Sequence, residues 1–374
     1  MIPWICKTLI SSSSNTSNRL RKYPIFQSIY LVSFSTSESK SNVTTFDYLV
    51  NKQHFSPKSA SNVSSLPSFE YLKKPQNADS VLNFLKESGF SKHQIEYVVK
   101  KLPQILSANL EKSIKPKFKV FQDLDFDSSD VAEIICRDPR ALTRSVDNRI
   151  APSILVLKSV LGSNADVCRL LKTRVGLLSN DLKRKMLPNV EYLKSCGMEP
   201  LQITKYVFSF SRLFLIKPES MKLLVKRVDE MGVDRTSKKF LCAVRVMSSM
   251  SKENWDLKLK LFSELGFSEE HILFMFRRAP QAFAVSERKI KEVTKLLLSV
   301  KNLDISYIAS NPDLLTYSVE KKLKPRLEVL KVLESKKLLK KKYSLYSFCK
   351  MTDAQFAQKY VIPYSKEGED SNVQ

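Results

Sequence analysis

The stretch Lys100-Lys101-Leu102-Pro103-Gln104-Ile105-Leu106 carries a phrase, Pro-x-apolar-apolar, that returns along the chain. It stands again at Pro139-Arg140-Ala141-Leu142, Pro280-Gln281-Ala282-Phe283 and Pro312-Asp313-Leu314-Leu315. Three further copies lack the proline: Val175-Gly176-Leu177-Leu178, Ser211-Arg212-Leu213-Phe214 and Val244-Arg245-Val246-Met247. Successive copies lie 36, 36, 36, 33, 36 and 32 residues apart. A repeat of that length is one supersecondary unit that cannot bury its apolar face alone, so the copies must stack. The expectation is an all-α solenoid of about seven tandem units, wound into a right- or left-handed superhelix.

Working outward from the phrase gives the unit. Thirteen residues after its first position stand Pro116, Pro152, Pro188, Leu224, Leu257, Val293 and Pro325. Before it runs an apolar stripe at i, i+3, i+4: Ile95, Val98 and Val99, then Val131, Ile134 and Ile135, then Val167, Leu170 and Leu171. That spacing is one buried helical face. Gly89, Gly197 and Gly266 each stand fourteen residues before the phrase, where a first helix should end on a left-handed cap. Ser91 and Ser268 follow as N-caps of the second helix. The phrase proline stops that second helix, since it lacks an N–H and clashes with the turn before it. A short 3₁₀ turn is expected next, and a kink at the later proline.

Composition narrows the function. The 62 Lys and Arg exceed the 38 Asp and Glu, for a net charge of +24. Such an excess calls for a polyanionic partner, nucleic acid before an anionic membrane surface. Seven glycines are too few for a hairpin-rich β protein or a Gly-rich phosphate loop. No apolar stretch reaches the ~20 residues needed to span a bilayer. Cys6, Cys136, Cys168, Cys196, Cys242 and Cys349 are scattered with no C-x-x-C pair, so neither a zinc site nor a disulfide framework is expected. His54, His93 and His271 lie far apart, and no H-E-x-x-H, P-loop or G-x-S-x-G signature is present. The chain therefore reads as a binding protein without catalytic residues, metal or cofactor.

Along its length, residues 1–40 are basic, Ser-rich and acid-poor, with Glu38 the first acid. That is the description of an organelle transit peptide, mitochondrial first and chloroplast second, with cleavage near Phe34. Residues 44–77 read as short helices around Phe46–Lys52 and Pro57–Leu66 and a linker. The array runs over 78–342, a C-terminal cap over 343–362 and an acidic, frayed tail over 363–374.

The phrase Lys100–Leu106, the block Arg137-Asp138-Pro139-Arg140-Ala141-Leu142, the paired prolines at offset thirteen and the Gly-Phe-Ser steps at Gly89 and Gly266 together resemble the mitochondrial transcription termination factor (mTERF) family, in its plant organellar branch. Ala243–Met250 and the ending Phe356–Val361 resemble it too. The resemblance covers the chain after the presequence. It implies units of two α-helices plus a 3₁₀ turn, stacked into a curved superhelix with a basic concave groove for nucleic acid. It also implies a role in organellar gene expression: transcription termination or initiation, or intron splicing. The loss of the phrase proline in three units departs from the pattern.

In a stacked array one offset faces one way, so the basic residues can be sorted into rows. Arg140, Arg212 and Arg245 share the place after the phrase's first residue. Lys101, Arg137, Arg174 and Arg278 stand just before the phrase, and Arg149 and Arg184 near the start of the following helix. Singly, each is an ordinary solvated cation. As rows they suit a phosphate backbone, with arginine able to bind phosphate bidentately or reach a base edge. The nine residues form the expected nucleic-acid site, with double-stranded DNA the first partner and structured RNA the second. The chain is expected to act as a monomer off the membrane, alongside other organellar expression factors. Phe208, Phe210, Phe214, Phe274, Phe276 and Phe283 are expected in the core, and Tyr317, Tyr343 and Tyr346 at surfaces able to stack on bases. The competing functions are a protein scaffold of the HEAT or armadillo kind and a pentatricopeptide-type RNA reader. The paired prolines have no place in the latter.

Overall fold

The computed structural model describes residues 44–70, 72–338 and 344–364. The expected transit peptide (1–40), residues 339–342 of the basic run, Tyr343 and the acidic tail from residue 365 lie outside the described residues.

The chain folds as a succession of helix pairs, and the phrase makes the joint between them. One-turn 3₁₀ segments occupy Pro103–Ser107, Pro139–Thr143, Ser211–Leu215, Pro280–Ala284 and Pro312–Thr316. The residue before each proline shows why the helix stops there. Leu102 (φ −141°, ψ 67°), Asp138 (φ −136°, ψ 70°) and Ala279 (φ −143°, ψ 69°) are forced out of the α region by the proline ring. Phe210 breaks in the same way before Ser211, although no proline follows it.

Two units correct the expectation of a 3₁₀ turn in each. In the third, Gly176 at φ +81° turns the chain, and 175–180 form turns instead. In the fifth, the Phe240–Ser248 helix runs straight through Val244–Met247. Nothing there removes an N–H or imposes a break, and Ala243, Val244, Val246 and Met247 are all buried within that one helix.

The second proline register also takes a definite form. One turn of π-helix precedes Pro116, Pro152 and Pro325, at Leu110–Ile114, Val146–Ile150 and Val319–Leu323. The Lys115, Ala151 and Lys324 amides reach back five residues to the carbonyls of Leu110, Val146 and Val319. Before Pro188 the Leu187 amide bonds Leu182 O in the same way, at 2.9 Å. A proline ring crowds the carbonyl four residues before it, and a wider turn relieves that contact. Where an aliphatic replaces the proline, the helices Pro218–Glu230, Lys252–Glu264 and Glu287–Leu298 run as uninterrupted α-helix.

The succession extends beyond the phrases at both ends. Residues 44–77 contain the helical segments Thr45–Asp47 and Tyr48–Lys52, the Pro57–Ser64 helix and a 3₁₀ turn at Pro67–Phe69. This is the order of a full unit, with Pro67 one 36-residue step before Pro103. At the other end Lys324–Ser335 pairs with Leu345–Lys350, followed by Asp353–Tyr360 and a short turn at Ile362–Tyr364.

The second-helix stripes are buried as their spacing requires, and they join one continuous apolar core. In the sixth unit Trp255 stacks on Phe283 (5.6 Å between centroids), and Phe262 and Phe276 close around the same ring at 4.8 and 5.1 Å. Burying one such side chain contributes about 2–3 kcal/mol. Cys168 and Cys349 are core residues, and burial pushes the Cys168 thiol up to about 12.

Fourteen residues after the phrase's first position runs a column that is buried in every unit and mostly polar: Lys117, Ser153, Asn189, Val225, Lys258, Thr294 and Arg326. Four of the seven, Ser153, Asn189, Lys258 and Arg326, serve the backbone of a closing segment, whereas Lys117 donates to Ser113 O of its own helix. The closing turn of a unit leaves carbonyls without helical partners, and buried carbonyls must find donors. Ser153 Oγ donates to Asn180 O (3.5 Å), Asn189 Nδ2 to Phe214 O and Ile216 O (3.1 and 2.9 Å), and Lys258 Nζ to Val285 O (2.7 Å). Arg326 Nη1 serves Phe348 O, Cys349 O and Met351 O, while its Nη2 pairs with Asp353 at 2.6 Å. In the seventh unit Lys289 takes over, donating to Thr316 O at 2.6 Å, and the buried Thr294 hydroxyl is left without a partner among the described residues.

Candidate nucleic-acid interface

From the second unit on, residues at or close beside one phrase segment touch those of the next. Asp138, just before the second phrase, accepts from Ser179 Oγ (2.7 Å) and Ser179 N (3.2 Å) after the third. Arg174 Nε, just before the third, donates to Phe208 O before the fourth at 2.7 Å. Arg245 in the fifth lays its guanidinium on the ring of Phe210 before the fourth, 4.6 Å from the centroid. Cys242 Sγ meets Gln281 Oε1 of the sixth at 3.7 Å, and Gln281 Nε2 donates to Asp313 Oδ1 of the seventh at 2.6 Å. Asp313 Oδ2 in turn accepts from Tyr346 Oη of the following helix at 3.2 Å. This chain of contacts carries the phrase row from the second unit to the C-terminal helices.

The nine expected residues divide by exposure and pairing. Arg137, Arg140, Arg212 and Arg278 are exposed. Lys101 is exposed too, with its ammonium 5.8 Å from the Tyr97 ring centroid. Arg245 is half-buried by its stacking on Phe210, and its Nε has no hydrogen-bond partner among the described residues. Arg174 is half-buried and committed to Phe208 O. Arg149 and Arg184 meet on one acid: Arg149 Nη1 lies 2.7 Å and Arg184 Nε 3.8 Å from Asp181 Oδ2. Burial pulls the Asp181 carboxyl upward, but the Arg184 amide and the Arg149 guanidinium outweigh it and hold it below the usual carboxylate range. Lys172, beside Arg174, is likewise taken, by Asp130 at 2.5 Å and Glu133 at 3.2 Å, and these hydrogen bonds raise its ammonium above the ordinary lysine value.

Acids therefore enter the rows at chosen places. Asp181 was open to view in Asn180-Asp181-Leu182-Lys183-Arg184-Lys185. Asp130 and Glu133 were not, because they reach Lys172 across 42 and 39 residues, about one repeat plus a helical turn. The aromatic expectation is also corrected. Phe214, Phe276 and Phe283 are fully buried, but Phe210 and Phe274 are 41% and 46% exposed. Phe210 is the last residue of its helix, at the surface edge where Arg245 covers it. Phe274 lies on the outward face of Glu269–Arg278, opposite the Ile272, Met275 and Phe276 stripe. Tyr317 and Tyr346 are partly buried, with Lys322 4.5 Å and Lys350 5.5 Å from their ring centroids. Among the described residues no group of His, Cys, Asp and Glu is placed to hold a metal ion, and no helix is long and apolar enough to cross a membrane.

Compared with known proteins, the chain matches no curated protein significantly. The model of the mTERF family matches residues 6–232 and 228–357. That match spans the repeats and reaches into the last C-terminal helix, and the chain belongs to the mTERF family.

Proposed function

We propose that the chain binds nucleic acid along the edge built by the phrase turns and acts in organellar gene expression. Family membership supports this reading. The observation that carries the reading onto particular residues is the unbroken series of contacts from Asp138 to Tyr346. It supports a reading in which Arg140, Arg212 and Arg245, which share one place in the repeat, form one row with the exposed Arg137 and Arg278 beside it. A row of guanidinium groups at a regular repeat suits the regular charge of a phosphate backbone. Double-stranded DNA is the first partner and structured RNA the second. The outcome is control of transcription termination or initiation in the mitochondrion, with the chloroplast and RNA splicing as the alternatives. The protein acts by binding, as a monomer, and not by catalysis.

The test is an electrophoretic shift with duplex DNA and with structured RNA at rising salt. Each phosphate neutralised adds roughly 0.9 to the slope of log K against log[salt] on B-DNA. Retention that is weak, and equal for any polyanion, would favour the protein-scaffold reading instead.

A further inference from the structure

The phrase row is not uniform: Gln104 and Gly176 interrupt the arginines in the first and third units, and Asp313 is its one acid. The place held by arginine in the second, fourth and fifth units is held by Gln281 in the sixth and Asp313 in the seventh. A carboxylate repels phosphate, so a nucleic acid continuing along this edge cannot present its backbone to Asp313. It can present a base, because exocyclic amino groups donate and a carboxylate accepts.

We propose that Asp313 is a base-reading residue that accepts a hydrogen bond from an exocyclic amino group of the bound nucleic acid, with Gln281 and Tyr346 as its positioning residues. The inference rests on the nucleic-acid reading above. Asp313 sits on the 3₁₀ turn Pro312–Thr316, and its two oxygens are fixed separately, Oδ1 by Gln281 Nε2 and Oδ2 by Tyr346 Oη. Gln281 is fixed in its turn by Cys242. A carboxylate has about four acceptor positions, of which these neutral donors occupy two, and the residue stays half-exposed. Neutral partners orient the group without cancelling its charge, unlike the arginine pair on Asp181. Lys322 and Lys350 stand against the flanking rings of Tyr317 and Tyr346 and supply cations for the adjoining phosphates. Burial raises the Tyr317 hydroxyl, and Tyr346 and Asp313 raise it further, so both tyrosines share this neighbourhood.

The experiment selects bound sequences from duplexes with a randomised core, using the full chain, Asp313→Asn and Gln281→Met. Wild type should enrich a motif in which one position favours cytosine, whose N4 amino group a carboxylate accepts from, by roughly ten- to a hundredfold. Asp313→Asn should lose that preference at the one position and keep the rest of the motif. Gln281→Met, which leaves the carboxylate but removes its donor, should weaken the same position only. An unchanged motif from Asp313→Asn overturns the proposal. So does an equal rise in affinity for every sequence, which would make Asp313 a boundary to phosphate and nothing more. So does a wild-type protein that binds duplex without enriching any motif. Wild type that binds neither duplex nor structured RNA removes the underlying reading as well, and the wild-type arm alone reveals that case.

Discussion

Asn189 donates through one amide nitrogen to two carbonyls, Phe214 O at 3.1 Å and Ile216 O at 2.9 Å, and so ties the first helix of the fourth unit to that unit's own closing turn. The residue is fully buried, so neither carbonyl can turn to water. An unpaired buried acceptor costs about 1–3 kcal/mol. Asn189→Leu is expected to lower stability by about 2–4 kcal/mol, measured by urea or thermal unfolding. A variant as stable as the parent would mean that the turn's carbonyls have another source of donors.

Lys258 and Lys117 fill the same column with ammonium groups, and burial depresses both below the ordinary lysine range; for Lys258, Glu287 offsets this in part. The sign of the pH effect follows. Between the depressed folded value and the unfolded value of 10.5, the unfolded chain binds more protons than the folded one. Stability therefore rises with pH through that window. Relative to a Lys117→Met, Lys258→Met double variant, the parent should gain stability as pH approaches 10.5 from below, followed by denaturant midpoints. A difference that stays flat with pH would mean that burial does not disfavour these charges.

Arg140, Arg212 and Arg245 occupy one place in the repeat, and two of the three are exposed without an acid partner among the described residues. Replacing all three by Glu should leave the helical content unchanged and abolish tight nucleic-acid binding. Replacing them by Ala should flatten the salt dependence by roughly 0.9 per lost phosphate contact. Arg245 also rests on Phe210, so its change carries a stability loss of about 0.5–2 kcal/mol from the lost cation–π contact. Circular dichroism separates that effect from lost affinity. A folded triple variant that binds as wild type does would move the interface off this edge.

The repeat was legible because its signals act locally. Pro103 excludes helix from Leu102, and Gly89 at φ +84° ends a helix wherever it stands. The buried stripes followed from helical spacing, which depends only on which face meets the core. The fifth unit was not legible, because Val244–Met247 keeps the apolar pattern and lacks the residue that would break the helix. The degenerate unit ending at Pro67-Ser68-Phe69-Glu70 escaped for the opposite reason: it keeps the proline and loses the second apolar position. At the candidate site, register was legible and pairing was not. Which arginine meets which acid depends on contacts such as Arg149–Asp181 and Lys172–Asp130, made between residues about a repeat apart.

Asp181 gives the last test, since it holds two of the nine expected cations at once. Arg149 and Arg184 both reach its Oδ2, so in the free protein their charge is partly spent internally. Asp181→Asn removes the carboxylate and releases both guanidinium groups. The Arg184 side chain is 88% exposed and Arg149 30%, so the pairs contribute little to stability, about 1 kcal/mol or less. Affinity for duplex DNA should rise at low salt and the salt dependence should steepen, because two more cations become available to phosphate. In the double variant Asp181→Asn, Arg149→Gln the gain should fall by about half. An Asp181→Asn protein that binds with wild-type affinity and wild-type salt slope would show that this part of the row does not meet the nucleic acid, and would confine the interface to the phrase turns themselves.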